Sequence, residues 1–279
     1  MNYNAASTMP FRVELRRQLR RKRTLVAYLF VAGLPLLVAA AVKFGPSNGR
    51  SRFGAGGSDL VGLATVGAAN FTATMFYFAT GFVLITVVAI FCGDTVASEA
   101  SWSTLRYLLA APVPRGKLLR TKMTVGLVLS LGALIILPIA SYVVGGFAFG
   151  FGALQSPLGT SFSTSNGISR LIIMVIFLAL YLLFTAGVAF FMSVITDAPL
   201  GAVGAAVGVV IVSNILDAIS TLGTLREWLP THYSYSWLDV FASQVDWNDM
   251  LRGASYSLIG FTIFFAAAII KFRTKDITS

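Results

Sequence analysis

Six long apolar runs constrain this chain more than any other feature of its sequence. A helix needs about 20 apolar residues to cross the roughly 30 Å hydrocarbon core of a bilayer. Charged residues make up 11% of the chain, well below the roughly 25% of soluble domains. The sequence therefore predicts a single all-α, polytopic membrane domain with six transmembrane helices. The runs cover approximately residues 24–42, 71–93, 123–148, 171–196, 198–218 and 253–270.

Basic residues are concentrated at the ends of these runs and predict the orientation. If both termini are cytoplasmic, 15 of the 21 Lys and Arg residues lie on the cytoplasmic side and 6 lie outside. Short cytoplasmic loops carry such an excess. We therefore expect a multi-pass protein of the inner (plasma) membrane with cytoplasmic N- and C-termini. The net charge of +10 then follows from topology and indicates no nucleic-acid partner.

The N-terminal stretch "FRVELRRQLRRKR" predicts an amphipathic helix over residues 10–23. Phe11, Leu15 and Leu19 share one face at helical spacing, and arginines surround it, which suits a helix on an anionic leaflet. A basic tail without structure is the alternative. A signal peptide fits less well, because the following apolar run of about 19 residues exceeds the typical 7–15.

Two further regions leave alternatives open. Residues 219–252 interleave Trp and Tyr with acidic residues, which predicts either short helices dipping into the outer leaflet or a plain aromatic belt. Gly204 and Gly208 are four apart in the fifth run, a spacing that lets helices approach closely. That face either packs against another helix or reflects the ordinary abundance of Gly in membrane helices.

No catalytic or metal-binding constellation stands out in the sequence. There is one cysteine, Cys92, and one histidine, His232, so no Cys/His metal spacing exists. No Gly-rich loop ends in Lys-Ser or Lys-Thr, as nucleotide phosphates require. The candidate pathway residues are Asn214 and Asp217 in the fifth run. Intramembrane carboxylates mark relays, although a carboxylate near a helix end commonly reaches the interface.

The polar, basic segment 94–122 separates the second and third runs. It predicts an amphipathic helix from about 97 to 109, with Leu105, Leu108 and Leu109 on one face. Pro112 and Pro114 end that helix. A cytoplasmic helix held between two spans can act as a lever for a partner, and the alternative is an interfacial helix resting on lipid.

This segment resembles the permease subunits of type-2 ATP-binding-cassette (ABC) exporters. That family follows its second span with Asp, Glu, Gly-Thr-Leu, Leu-Leu, Pro-Val-Ser-Arg and a later Lys. Ser103 stands here in place of the Gly and Pro114 in place of the Ser, and the C-terminal "KFRTKDITS" is also similar to the family's ending. The matching residues of the segment are Asp94, Glu99, Thr104, Leu105, Leu108, Leu109, Pro112, Val113, Arg115 and Lys122.

The resemblance implies two permease subunits, identical or homologous, each above one ATPase subunit, and membrane lipids around them. Residues 97–109 would be the coupling helix, and re-entrant helices between spans five and six would form the outer gate. This chain would hold no cofactor, because ATP and Mg bind the ATPase. A small amphipathic or lipid-like substrate, such as a drug or antibiotic, is expected. The expected ATPase contacts are Glu99, Ser103, Thr104, Leu105, Leu108 and Arg115.

Two other functions remain as alternatives. The first is a membrane scaffold that anchors a cytoplasmic complex without moving a substrate. The second is an intramembrane enzyme, which the lack of clustered catalytic groups disfavours.

Overall fold

The computed structural model describes residues 10–44, 62–101, 114–157 and 159–274. Ser103, Thr104, Leu105 and Leu108, four of the expected ATPase contacts, lie outside the described residues. The same holds for the remainder of the predicted coupling helix beyond Ser101. Their predicted roles therefore stay predictions.

The described residues form no β-strand and contain six helices long and apolar enough to span a membrane. The protein is thus an all-α, polytopic membrane protein, as the sequence predicts. A short helix, α1 (Phe11–Leu19), precedes the six. They are α2 (Lys22–Phe44), α3 (Ala68–Ser101), α4 (Arg115–Phe149), α5 (Thr164–Ile195), α6 (Pro199–Ala218) and α7 (Asn248–Thr274).

The helices α3 and α4 extend well past the apolar runs that predict them. They contain 34 and 35 residues, or about 50 Å of helix each at 1.5 Å per residue, so they project beyond a 30 Å hydrocarbon core. Asp94–Ser101, part of the predicted coupling segment, forms the last turns of α3. Arg115–Lys122 likewise forms the first turns of α4. The segment between them is attached directly to both spans.

The two most buried spans, α3 and α5, form the centre of the bundle. α3 packs against α4, α5 and α6, and α5 packs against α7. Glycines permit two of these approaches: a Cβ on Gly126 would lie 3.1 Å from Cys92 Sγ, and one on Gly187 would lie 2.9 Å from Phe261 Cα. Small residues at such crossings bring membrane helices into close van der Waals contact.

The predicted outer segment 219–252 forms three short 3₁₀ helices and the first residues of α7, which begins at Asn248. The 3₁₀ helices are Ser220–Trp228, Pro230–Tyr233 and Ser236–Phe241. We call the end of the bundle that they cover the aromatic end. Trp237 is fully buried and its ring lies 6.4 Å from that of Phe76, whereas Trp228 is 70% exposed. The segment is thus partly inserted into the bundle. A re-entrant path through a leaflet stays a prediction.

Candidate functional site: a charged network

The opposite end of the bundle holds the largest cluster of interacting charges among the described residues. We call it the basic end. It comprises α1, the C-terminal turns of α3 and α7 and the N-terminal turns of α4. Charged side chains from α1, α3 and α4 meet there with Arg21, which lies between α1 and α2, and Arg23 in the first turn of α2. The charged members of this network are Glu14, Arg17, Arg21, Arg23, Asp94, Glu99 and Lys122.

The amphipathic helix α1 turns its polar side, not its apolar side, towards the protein. Glu14 and Gln18 are four residues apart and are buried, so they share one helical face. Phe11 and Leu19 of the predicted apolar face are exposed, and Leu15 packs partly against the core. An outward apolar face is compatible with contact to lipid, while the inward face carries the ion-pairing groups.

Lys122 forms the centre of the network. Its side chain is fully buried, and its Nζ lies 2.6 Å from Glu99 Oε1 and 3.4 Å from Glu14 Oε1. It also donates a 3.2 Å hydrogen bond to the carbonyl oxygen of Thr95. One ammonium group of α4 therefore binds carboxylates from α1 and α3 together with the α3 main chain. Removing one member of such a buried set leaves the others desolvated and incompletely paired.

Arginines extend this network towards the connection between α1 and α2. Arg17 Nη2 lies 2.9 Å from Glu14 Oε2 and also pairs with Glu99. Arg21 Nη1 lies 3.3 Å from both Asp94 Oδ2 and Ser98 Oγ. Arg23 forms a second ion pair with Asp94. Both acidic residues of the family-like motif thus bind the N-terminal helical region of the same chain.

The electrostatic balance favours charged Glu14 and Arg17. Burial by itself would raise the pKa of Glu14, because it disfavours the ionised carboxylate. The positive charge of Lys122 and the hydrogen bond from Arg17 outweigh burial, and the pKa falls below its ordinary value of 4.5. Burial alone would lower the pKa of Arg17, but its hydrogen bonds to Glu14 and Glu99 raise it above its ordinary value.

A hydroxyl group links the same part of α3 to the second central span. Ser193 Oγ of α5 accepts hydrogen bonds of 3.0 Å from the backbone N–H groups of Val96 and Ala97. These residues lie between Asp94 and Glu99 on α3. The end of α3 is therefore bound to α1 and α4 through charges and to α5 through Ser193.

Glu99 is bound within the chain, where its side chain is 2% exposed and binds Arg17 and Lys122. The helical pattern around residue 99 could not reveal this, because both partners are distant in sequence. The expected contact of Glu99 with the ATPase stays a prediction. Arg115 is exposed and donates a 3.0 Å hydrogen bond to the carbonyl oxygen of Arg273 at the end of α7. Its contact with the ATPase stays a prediction.

The candidate pathway residues lie at the aromatic end. Asp217 Oδ1 is 2.5 Å from Nδ1 of His232, and both side chains are partly exposed. The Asp217 carbonyl accepts a 3.2 Å hydrogen bond from Arg226. Asn214 is half-buried one turn earlier on α6. These contacts join α6 to the 3₁₀ segment, and a role in the pathway stays a prediction.

Sequence reasoning did not identify Glu14, Gln18 and Ser193 as functional residues. One signal was present, because Glu14 is the only acidic residue in "FRVELRRQLRRKR". A single acidic residue among so many basic residues indicates that its carboxylate has a specific partner in the folded chain. No such signal marks Ser193. Among the residues that the structure describes, no group of three or more His, Cys, Asp or Glu side chains could hold a metal ion.

Comparison with known proteins identifies the family. The profile of the ABC-2 family transporter proteins matches residues 11–277, which includes α1, all six spans and the whole charged network. A search of curated proteins found no match. The family assignment agrees with the resemblance of the segment around Asp94, Glu99 and Lys122. The chain belongs to the ABC-2 family, whose members are the membrane components of ABC transporters and not the ATPases themselves.

Proposed function

We propose that this chain forms the export pathway of an ABC transporter for a small amphipathic or lipid-like substrate, powered by separate ATPase subunits that bind ATP and Mg. The charged network is the observation that carries the proposal. It provides a route by which movement of a partner below the membrane reaches the spans. The absence of a phosphate-binding loop from the whole sequence supports hydrolysis on another chain.

The position of the predicted coupling helix explains how force would be transmitted. Residues 102–113 connect Ser101 at the end of α3 to Pro114 at the start of α4. Glu99 precedes Ser101 by two residues, and Lys122 follows Pro114 by eight. The 2.6 Å contact between Lys122 and Glu99 thus joins the two helices near the base of the connection. A force on the connection would move α3 and α4 together and draw α1 with them.

A second permease subunit would complete the pathway, and the outer face of α6 supports its placement. A Cβ on Gly204 or Gly208 would meet no atom within 4 Å. Leu200, Ile211 and Ile215 on the same helix are exposed. The backbone of α6 is therefore accessible at its small residues, which suits close packing against a helix of a second copy or a homologue. We propose two permeases and two ATPases per transporter.

The experiment for this proposal is reconstitution with a candidate ATPase. The chain alone should show no ATP hydrolysis, and the ATPase should copurify with it. We expect the assembled complex to move a fluorescent amphipathic probe across proteoliposomes only with ATP and Mg. Hydrolysis by the chain alone would contradict the proposal. Complex formation without ATP-dependent movement of any tested probe would support the scaffold alternative instead.

Variants at the basic end test the transmission route. The Glu99→Ala variant should insert into the membrane normally. It should nevertheless reduce copurification of the ATPase, or uncouple ATP hydrolysis from transport, because α1 and α3 are displaced. Leu105→Ala and Leu108→Ala should have a similar effect if their segment packs against the ATPase. Glu227→Ala is the matched control, because it removes an exposed carboxylate at the aromatic end. Equal behaviour of all four variants would contradict the route.

A further inference from the structure

A basic groove lies beside the charged network and is separate from it. Its volume is about 540 Å³, and it is formed by the start of α1, the first turns of α4 and the end of α7. The 3.0 Å hydrogen bond from Arg115 to the carbonyl oxygen of Arg273 joins α4 to α7 at this point. The groove is lined by Phe11, Pro114, Gly116, Lys117, Arg120, Thr121, Thr124 and Arg273.

Among the described residues, the lining of the groove offers positive charge and hydroxyl groups and includes no carboxylate. Lys117, Arg120 and Arg273 supply the cations, and Thr121 and Thr124 supply the hydroxyls. The described carboxylates of the charged network bind other residues: Glu14 and Glu99 bind Lys122 and Arg17, and Asp94 binds Arg21 and Arg23. Basic pockets between membrane helices bind phosphate headgroups of anionic lipids.

An apolar stripe continues from the groove along the same face of α4. After Arg120 and Thr124, the exposed residues on this face are apolar and follow at steps of three or four residues, as one helical face requires. Leu131 lies about 16 Å from Arg120 along the helix axis at 1.5 Å per residue. The stripe consists of Val128, Leu131, Ile135 and Ile139.

The stripe also leads to an apolar cavity. A cavity of about 250 Å³ lies between α3, α4 and α5, and Leu131 belongs both to its lining and to the exposed stripe. Leu180 of α5 is a second exposed residue in its lining. One surface of α4 therefore presents cations, then hydroxyls, then hydrocarbon. This order matches that of a phospholipid from headgroup to acyl chain.

We propose that the basic groove binds the phosphate headgroup of an anionic membrane lipid, with one acyl chain following the α4 stripe towards the apolar cavity. The alternative occupant is an acidic surface of a protein partner. Such a surface would be complementary to the cations of the groove but not to the apolar stripe beside them. The bound lipid would hold α1, α4 and α7 together at the basic end. This site does not depend on the substrate or on the direction of transport.

The test is native mass spectrometry of the purified, delipidated full chain in neutral detergent. The added ligands are phosphatidylglycerol, phosphatidylcholine and inorganic phosphate. We expect phosphatidylglycerol to bind at least tenfold more tightly than phosphatidylcholine. Dihexanoyl phosphatidylglycerol, which has short acyl chains, should bind more weakly than dioleoyl phosphatidylglycerol. Arg120→Gln and Arg273→Gln should each weaken phosphatidylglycerol binding about fivefold. Arg16→Gln is the control, because Arg16 is exposed on α1 and does not line the groove.

Three results would overturn the proposal. Equal affinity for phosphatidylglycerol and phosphatidylcholine would exclude headgroup recognition. Inorganic phosphate that binds as tightly as the lipid and displaces it would identify a free-anion site. If Arg120→Gln and Arg273→Gln leave lipid binding unchanged but abolish copurification of the ATPase, the groove is a protein-docking surface.

Discussion

The basic end and the aromatic end of the bundle are held together by different interactions. At the basic end, Lys122 joins α4 to carboxylates of α1 and α3 through short contacts between charged atoms. At the aromatic end, Trp237 is buried against Phe76. Arg170 donates hydrogen bonds to the carbonyl oxygens of Ala242, at 2.7 Å, and Ser243, at 3.1 Å.

This difference suggests a division of roles. Ion pairs in a poorly solvated setting depend strongly on which partner is present and where it lies. Apolar burial is not directional and scales with the apolar area removed from water. On the proposed function, the basic end would transmit movement between α1, α3 and α4, and the aromatic end would rearrange as a pathway opens.

The largest effect is expected from Lys122→Ala. This change leaves Glu14 and Glu99 buried without their shared cation and should destabilise the protein by about 3–5 kcal/mol. The measurement is thermal unfolding in detergent, monitored by circular dichroism. Lys271→Ala, which removes an exposed cation near the same end, should leave the unfolding temperature nearly unchanged. A small loss for Lys122→Ala would show that the network is not essential to the fold.

A smaller effect is expected from Trp237→Phe at the aromatic end. The phenyl ring fills part of the indole site, so the cost should be about 1–2 kcal/mol. Among the described residues, no acceptor binds the buried Trp237 Nε1, and Phe removes this unpaired donor, which limits the loss. A loss as large as that of Lys122→Ala in the same unfolding assay would remove the contrast between the ends.

Asp217→Asn should have a smaller effect on stability. Asp217 and His232 are partly exposed, and such pairs contribute less than about 1 kcal/mol. Assembly with the ATPase should stay intact, while the transport rate changes if Asp217 lines the pathway. The assay is ATP-dependent uptake of the probe into proteoliposomes. An unchanged transport rate would indicate that Asp217 and His232 only stabilise this end of the protein at the membrane–water interface.

Acid should weaken the basic end through Glu14. Because the pKa of Glu14 in the folded protein lies below its ordinary value of 4.5, its stabilisation is complete above pH 4.5 and is lost as the pH falls through the lowered pKa. The difference in unfolding temperature between wild type and Glu14→Gln should therefore be constant near neutral pH and shrink below pH 4.5. A difference that does not vary with pH would contradict an ionised, paired Glu14.

The sequence predicts the spans well because each depends on local composition. It also singles out Asp94, Glu99 and Lys122 through their resemblance to the family motif. It does not predict their partners. Arg17 and Glu99 are 82 residues apart, and a local pattern contains no information on where α1 packs against the other helices. The same limit applies to Ser193, an ordinary small polar residue until α5 packs against α3.

The aromatic segment shows a second limit. Composition indicates that Trp228 and Trp237 favour an interface, but one is largely exposed and the other is fully buried. The backbone of this segment also changes direction within an element: Gly223 adopts a positive φ of 54° at a kink inside the first 3₁₀ helix. A pattern of residue types does not determine such kinks.

Hydrogen exchange of the α1 amides tests the central claim most directly, because it reports whether the charged network holds α1 against α3 and α4. Wild type and Trp237→Phe should show the same slow exchange over Phe11–Leu19. In Lys122→Ala and Glu99→Ala, the account predicts exchange at least about tenfold faster there, because the helix opens more readily. Unchanged protection of α1 in both variants would show that lipid or apolar contacts hold the helix, and would contradict the account.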